Sequence, residues 1–292
     1  MRWKGRERSE NVEDRRGMSP RMAIGGGGSI LAVLFVLVLK LMDAPAPLQQ
    51  MAGQLAQRQA QQQPADQPTG EGFDDDYREF ISVVLRDTEN VWTQLFEAEV
   101  QGGSYRPPKL VIFSDRTNTG CGMGQAAMGP FYCPADQMIY IDPTFFEDLA
   151  RRHKAPGDFA QAYVIAHEVA HHVQNLLGLN NRANQARASG DEQMANQESV
   201  RLELQADFLA GVWGRHAHEE YGILEDGDLE EAITAANRIG DDTLQLEAMG
   251  YKVPERYKHG TSAQRVRWFK RGFNSGKVED CQQLMTVGYD QL

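Results

Sequence analysis

Apolar positions fall into three regimes along the chain. From Ile30 to Leu39 they run unbroken, inside AIGGGGSILAVLFVLVLKLM (residues 23–42). With its flanking glycines that stretch approaches the roughly 20 residues needed to cross a bilayer. Over 43–72 they thin into a Gln-, Ala- and Pro-rich run with no sustained apolar face, which reads as a linker. From Phe73 onward they recur at helix or strand spacing, so a folded domain is expected over 73–292.

Within that domain, DDDYREFISVVLRDTENVWTQLFEAE (74–99) sets Phe80, Val83, Val84, Trp92, Leu95 and Phe96 at helical spacing and predicts a helix. KLVIFSD (109–115) and QMIYID (137–142) predict strands. Helices are predicted over PTFFEDLARRHK, with Pro143 in its first turn, and over GDFAQAYVIAHEVAHHVQNLLG, with Asp158 as its cap. Three more are predicted over 191–220, 226–240 and 262–276. Few strands and many helices make the class α+β, predominantly α, with a small sheet and one preceding transmembrane helix.

Charge sharpens the picture of the N-terminus. The net charge is −11, but residues 1–21 carry seven Arg/Lys against four acids and are +3, leaving −14 for the rest. So acidic a body argues against a nucleic-acid partner, which calls for a basic stripe. Under the positive-inside bias Arg2, Lys4, Arg6, Arg8, Arg15, Arg16 and Arg21 stay cytoplasmic. The expected topology is a basic cytoplasmic segment (1–22), a single anchor (23–42) touching the membrane, a linker (43–72) and an extracytoplasmic domain. A cleaved signal peptide is the competing reading: LMDAPA is a poor cleavage site, although APA at 44–46 keeps it open. No pattern speaks to oligomeric state.

Cys121 and Cys133 bracket a Gly-rich loop, CGMGQAAMGPFYC. Outside the cytoplasm a disulfide between them is expected. Joint metal ligation is the alternative, with no second cysteine pair to complete a site. Cys281 is left over and is given only a packing role.

The densest chemistry lies in YVIAHEVAHHVQN (163–175). His167 and His171 are four residues apart, about 40° from one line on a helix and one turn apart, so both imidazoles can grip one metal ion. Glu168 is displaced by about 100°, near enough to take a proton from an attacking water without being a ligand. Zinc wants another protein ligand and an open position. ELQAD on the 191–220 helix supplies Glu203, with Asp207 one turn on to accept a hydrogen bond from a liganding histidine. Two carboxylates in the apolar run LELQADFLAGVWG are costly unless paired or bound. His172 points about 140° away from His167 and is expected to bond elsewhere.

HEVAHH followed by ELQADFLAG resembles the gluzincin zinc peptidases, in which HExxH is completed by ExxxD. More narrowly, CGMGQAAMGPFYCPADQMIYID (121–142) and HGTSAQR (259–265) make the chain similar to a bacterial family of predicted neutral zinc metallopeptidases with an N-terminal membrane segment. That resemblance spans Phe73 to the C-terminus. It implies one zinc on His167, His171 and Glu203, Glu168 as catalytic base, and a peptide or protein substrate outside the bacterial cytoplasmic membrane. It also suggests His259 as the donor that steadies the oxyanion, and Tyr140, on the strand MIYID, is a second candidate for that role. The strand QMIYID is the candidate edge strand for pairing with substrate. Arg265 and Arg267 are expected to pair with local acids. His153, His216 and His218 are left without a role. A zinc amidase acting on cell-wall peptides and a non-catalytic peptide-binding scaffold or chaperone are the alternatives.

Overall fold

The computed structural model describes residues 1–17, 75–100 and 103–292. A short strand β1 (Val12–Asp14) precedes helix α1 (Asp76–Glu99). Five strands follow: β2 (Lys109–Ile112), β3 (Arg116–Thr119), β4 (Gly122–Gln125), β5 (Phe131–Cys133) and β6 (Met138–Ile141). Helices then take over: α2 (Thr144–Arg151), α3 (Asp158–Leu176), α4 (Asn181–Ser189), α5 (Glu192–Tyr221), α6 (Asp228–Arg238), α7 (Asp241–Met249), α8 (Ser262–Ser275) and the short α9 (Gln283–Thr286). The protein is therefore mixed α and β, mostly helical.

The main sheet has the order β1-β2-β6-β5, parallel except for β5, and β3–β4 is a separate antiparallel hairpin. Period-two alternation divides the sheet into two faces. Leu110, Ile112, Ile139 and Ile141 join the large helical core, with Trp92, Trp213 and Trp268. Val111, Tyr140 and Cys133 form a smaller cluster of their own. Against the large core packs α3, with Phe159, Tyr163, Ala166, Ala170 and Val173 buried.

α5 and α8 cross at close range because glycine sits on both sides of the contact. A Cβ on Gly211 would meet the carbonyl oxygen of Phe269 at 2.2 Å, and one on Gly272 that of Phe208 at 1.8 Å. α5 is capped by Asp191, which accepts from the amide of Met194, and α8 by a Thr261–Gln264 capping box. The carboxylates of α5 are thus held against the side chains of α8.

The N-terminus corrects the expected topology. β1 pairs with β2 in the same sheet as β6, and Met1–Asp14 forms one compact unit with Phe73–Leu292. The Met1 amine bonds Asp158 (2.5 Å) and Asp228 (3.2 Å), and Arg6 pairs with Asp87 at 2.7 Å. One bilayer crossing between residues 14 and 75 would put hydrogen-bonded neighbours of one sheet on opposite sides of a membrane. The single-pass, N-in anchor and its extracytoplasmic domain are therefore withdrawn. Among the described residues no helix is long and apolar enough to cross a membrane, and the segment read as the anchor (23–42) lies outside them. Two of the basic residues that prompted the topology serve the fold instead: Arg6 and Arg8 pair with Asp87 and Glu79. Asp158 is also not a cap. Gly157 takes that position, and the Asp158 carboxylate receives the Met1 amine.

Asp87 gives this strap a pH signature. Burial pushes its carboxyl up to about 7 even though Arg6 opposes the shift. The folded state thus holds this proton more tightly than the unfolded chain, whose pKa is near 3.8. The stability it contributes is complete below about pH 4 and is lost as pH rises to about 7, on the order of 4 kcal/mol in all. Unfolding temperatures measured across that range should fall, and Asp87→Asn should remove that part of the slope. An unchanged slope in the variant would show that Asp87 is not its source.

Candidate metal centre

His167 and His171 project from one face of α3, and Glu203 approaches from α5. Their ligand atoms lie within 4.8 Å of one another. Nε2 of His167 is 3.1 Å from Oε2 of Glu203, and Nε2 of His171 is 3.5 Å from Oε1. Nitrogen and oxygen ligands at zinc distances on a tetrahedron stand about 3.3 Å apart, so the spacing and the donor chemistry fit zinc. Burial opposes the Glu203 charge, but His171 and His167 outweigh it and hold the carboxyl well below the usual range. Burial likewise opposes protonation of His167, yet Asp207 and Glu203 lift its imidazole to about 9. The three groups form a compact charged cluster able to hold a cation.

Asp207, with none of its side chain exposed, receives Nδ1 of His167 at 2.9 Å and the hydroxyl of Tyr163 at 2.5 Å. Arg265 closes a fork on it, Nε to Oδ2 and Nη2 to Oδ1, both at 2.9 Å. Burial pushes the Asp207 carboxyl up, but Arg265 and His167 together hold it at about 2. The sequence expectation that Arg265 pairs with an acid holds, and that acid is Asp207. Arg267 instead reaches the carbonyl oxygen of Leu292.

The cluster opens on a cleft of about 560 Å³, also lined by Glu168 and His259. Among the described residues no hydrogen bond engages the Glu168 carboxylate, although the residue is only 7% exposed. His259 bonds Oδ1 of Asp241 through Nδ1 at 3.0 Å, and its Nε2 has no hydrogen-bond partner among the described residues. The Asp241 hydrogen bond raises the His259 imidazole, with burial opposing and the Glu203 charge adding to the rise. Asp241 also accepts the amides of Lys258, His259 and Gly260, so the loop around His259 is pinned from α7.

Tyr140 is not brought to this cleft. It lies on the sheet face opposite Ile139 and Ile141, stacks on Phe131 and gives its hydroxyl to Asp136 at 2.7 Å. β6 is internal, flanked by β2 and β5. β5 takes the edge instead, and its Phe131 and Tyr132 line the cleft. The parity of strand residues decides this, and sequence alone does not say which face looks toward the helices.

Cys121 and Cys133 form a disulfide, which ties the Gly-rich loop to β5 and sets Met128, Gly129 and Pro130 at the mouth. Cys281 is buried and free, and burial pushes its thiol up to about 12. As expected, His172 bonds elsewhere: Nε2 donates to the carbonyl oxygen of Arg106 at 2.7 Å, so Nδ1 accepts from Tyr132. His153 lines the cleft, and burial lowers its pKa. His216 and His218 bond the backbone of Gly276 and Leu224, away from the centre.

Residues 1–284 match the family described as "Putative neutral zinc metallopeptidase". The chain belongs to this family. YpfJ of Escherichia coli K12, an uncharacterized protein, is 47% identical over 289 residues, covering 96% of this chain and 98% of its own. The uncharacterized Rv2575 of Mycobacterium tuberculosis H37Rv is 42% identical over 187 residues, 61% of this chain and 62% of its own. No solved structure matches the chain. Family membership covers the N-terminal strap as well as the helical body, so β1 and the metal cluster fall within one matched unit.

Three contributors escape a reading by motif. Tyr163 precedes HExxH by one turn on the same helix, and its hydroxyl is visible only once α5 is packed against it. Gln174 and Gln205 are amides in otherwise apolar helix faces, the one signal sequence offers for them.

Proposed function

We propose that the protein is a zinc-dependent hydrolase of peptide bonds, of the HExxH type, with His167, His171 and Glu203 as ligands and Glu168 as base. The observation that carries this reading is the convergence of two imidazoles and one carboxylate, their ligand atoms within 4.8 Å of one another, on a cleft shared with Glu168. Zinc, when bound, supplies a Lewis acid that acidifies water and polarises a carbonyl. Glu168 takes the proton of the attacking water and passes it to the departing amine. His259, whose contact with Asp241 favours its protonated form, donates from Nε2 to the oxygen on which negative charge develops. Asp207 keeps His167 in the tautomer that presents Nε2, and Arg265 keeps Asp207 ionised. Phe131, Tyr132 and Phe145 give the cleft an aromatic wall.

Elemental analysis of the full chain beside Glu203→Ala tests the ligand set. The full chain is needed because β1 is part of the main sheet. About one zinc per chain is expected for the wild type, with the variant losing it or binding it at least about tenfold more weakly. Equal zinc in both would remove Glu203 from the ligand set and the mechanism with it.

A further inference from the structure

On its Nδ1 side, His171 has a partner different in kind from that of His167: an amide, where His167 has a carboxylate. Its Nδ1 lies 2.8 Å from Oε1 of Gln174. The Gln174 amide nitrogen donates to the carbonyl oxygen of Leu202 at 2.7 Å and to Oε1 of Gln205 at 3.0 Å. The Gln205 amide nitrogen in turn points to the carbonyl oxygen of Cys281 at 3.4 Å and its sulfur at 3.6 Å. Both glutamines are buried, Gln174 at 1% and Gln205 at 0% exposure.

We propose that Gln174 and Gln205 are positioning residues, a buried amide relay that presents His171 to the metal. This rests on the reading of His171 as a ligand given above. The polarity of the relay follows from its ends. Carbonyl oxygens can only accept, so the carbonyls of Leu202 and Cys281 oblige both amide nitrogens to face them. That leaves Oε1 of Gln174 facing His171, where it can only accept. The proton of the imidazole is therefore held on Nδ1, and the lone pair of Nε2 is aimed at the centre.

The relay also ties the metal centre to the C-terminal segment. Arg201 on α5 bonds the carbonyl oxygens of Leu284 and Val287, so Cys281 sits in a turn anchored to the helix that carries Glu203 and Gln205. Each amide in the chain is satisfied only while its neighbours are, as expected for a buried polar network. Being neutral, the relay orients His171 without adding negative charge to a centre that already holds Glu203, Asp207 and Glu168.

The test is zinc affinity, read by competition with a chromogenic chelator on the full-length protein. Gln174→Met keeps volume and packing but removes the hydrogen bonds. It should weaken zinc binding about 10- to 100-fold. Gln205→Met should cost less, about three- to tenfold, because Leu202 still holds the Gln174 amide. The double variant should bind no more weakly than Gln174→Met alone, the non-additivity of residues in one chain. Visible spectra of the cobalt-loaded proteins should shift in Gln174→Met, a change that packing alone would not produce. Gln174→Met with zinc affinity within twofold of wild type, or additive losses in the double variant, would overturn the relay. A wild type that binds no zinc would overturn the metal reading itself, and the relay with it.

Discussion

Glu168→Gln is expected to lower peptide hydrolysis by about 10³-fold or more while leaving about one zinc per chain. Glutamine matches glutamate in shape, so α3 and its two histidines should keep their places. What it lacks is a basic oxygen able to accept a proton from water. The wild-type carboxylate lines the cleft beside His167 with no hydrogen bond engaging it among the described residues. Turnover of a peptide library together with zinc content separates the outcomes. Activity kept at wild-type level would remove Glu168 from the chemistry and favour a base elsewhere in the cleft. Loss of zinc would make it a ligand. A scaffold that only binds peptide would keep its binding in the variant and show no turnover in either form.

The second large effect is structural. Arg265→Met should cost about 3–5 kcal/mol, because it leaves the Asp207 carboxylate uncompensated in the interior. For a chain of this size that is a fall of roughly 10 °C in unfolding temperature. Zinc binding should weaken by about tenfold or more, since Asp207 would no longer be held to orient His167. Replacing both charges, as Arg265→Met with Asp207→Leu, removes the uncompensated group and should recover part of the stability but none of the zinc affinity. Calorimetry and chelator competition measure the two effects separately. A single-variant cost below about 1 kcal/mol would mean that Asp207 finds water or another donor.

How the sequence and the tertiary structure divide the account is clearest at particular residues. HEVAHH on a segment of helical period fixes the mutual placement of His167, Glu168 and His171, because helix geometry is local and repeats every turn. The same holds for Glu203 and Asp207 on α5, and for the strands around residues 110 and 140. The segments missed, α4, α7, α9 and the short strands of the Gly-rich region among them, are brief and weakly periodic, so tertiary contacts decide them.

The sequence by itself determined that two histidines and a glutamate share one helix, that two carboxylates share another, and that a pair of cysteines brackets a loop. Those are consequences of spacing along one element. Tertiary structure alone decided that Arg265 neutralises Asp207, that Gln174 and Gln205 join His171 to the C-terminal turn, and that Tyr140 faces away from the cleft. Each of these joins residues far apart in the chain, or depends on which side of a sheet meets the helices. It also decided that residues 12–14 pair with β2, where a run of N-terminal charges had suggested a separate cytoplasmic segment. Charge density along a chain cannot reveal partners supplied by a distant helix, and Arg6 with Asp87 is such a pair.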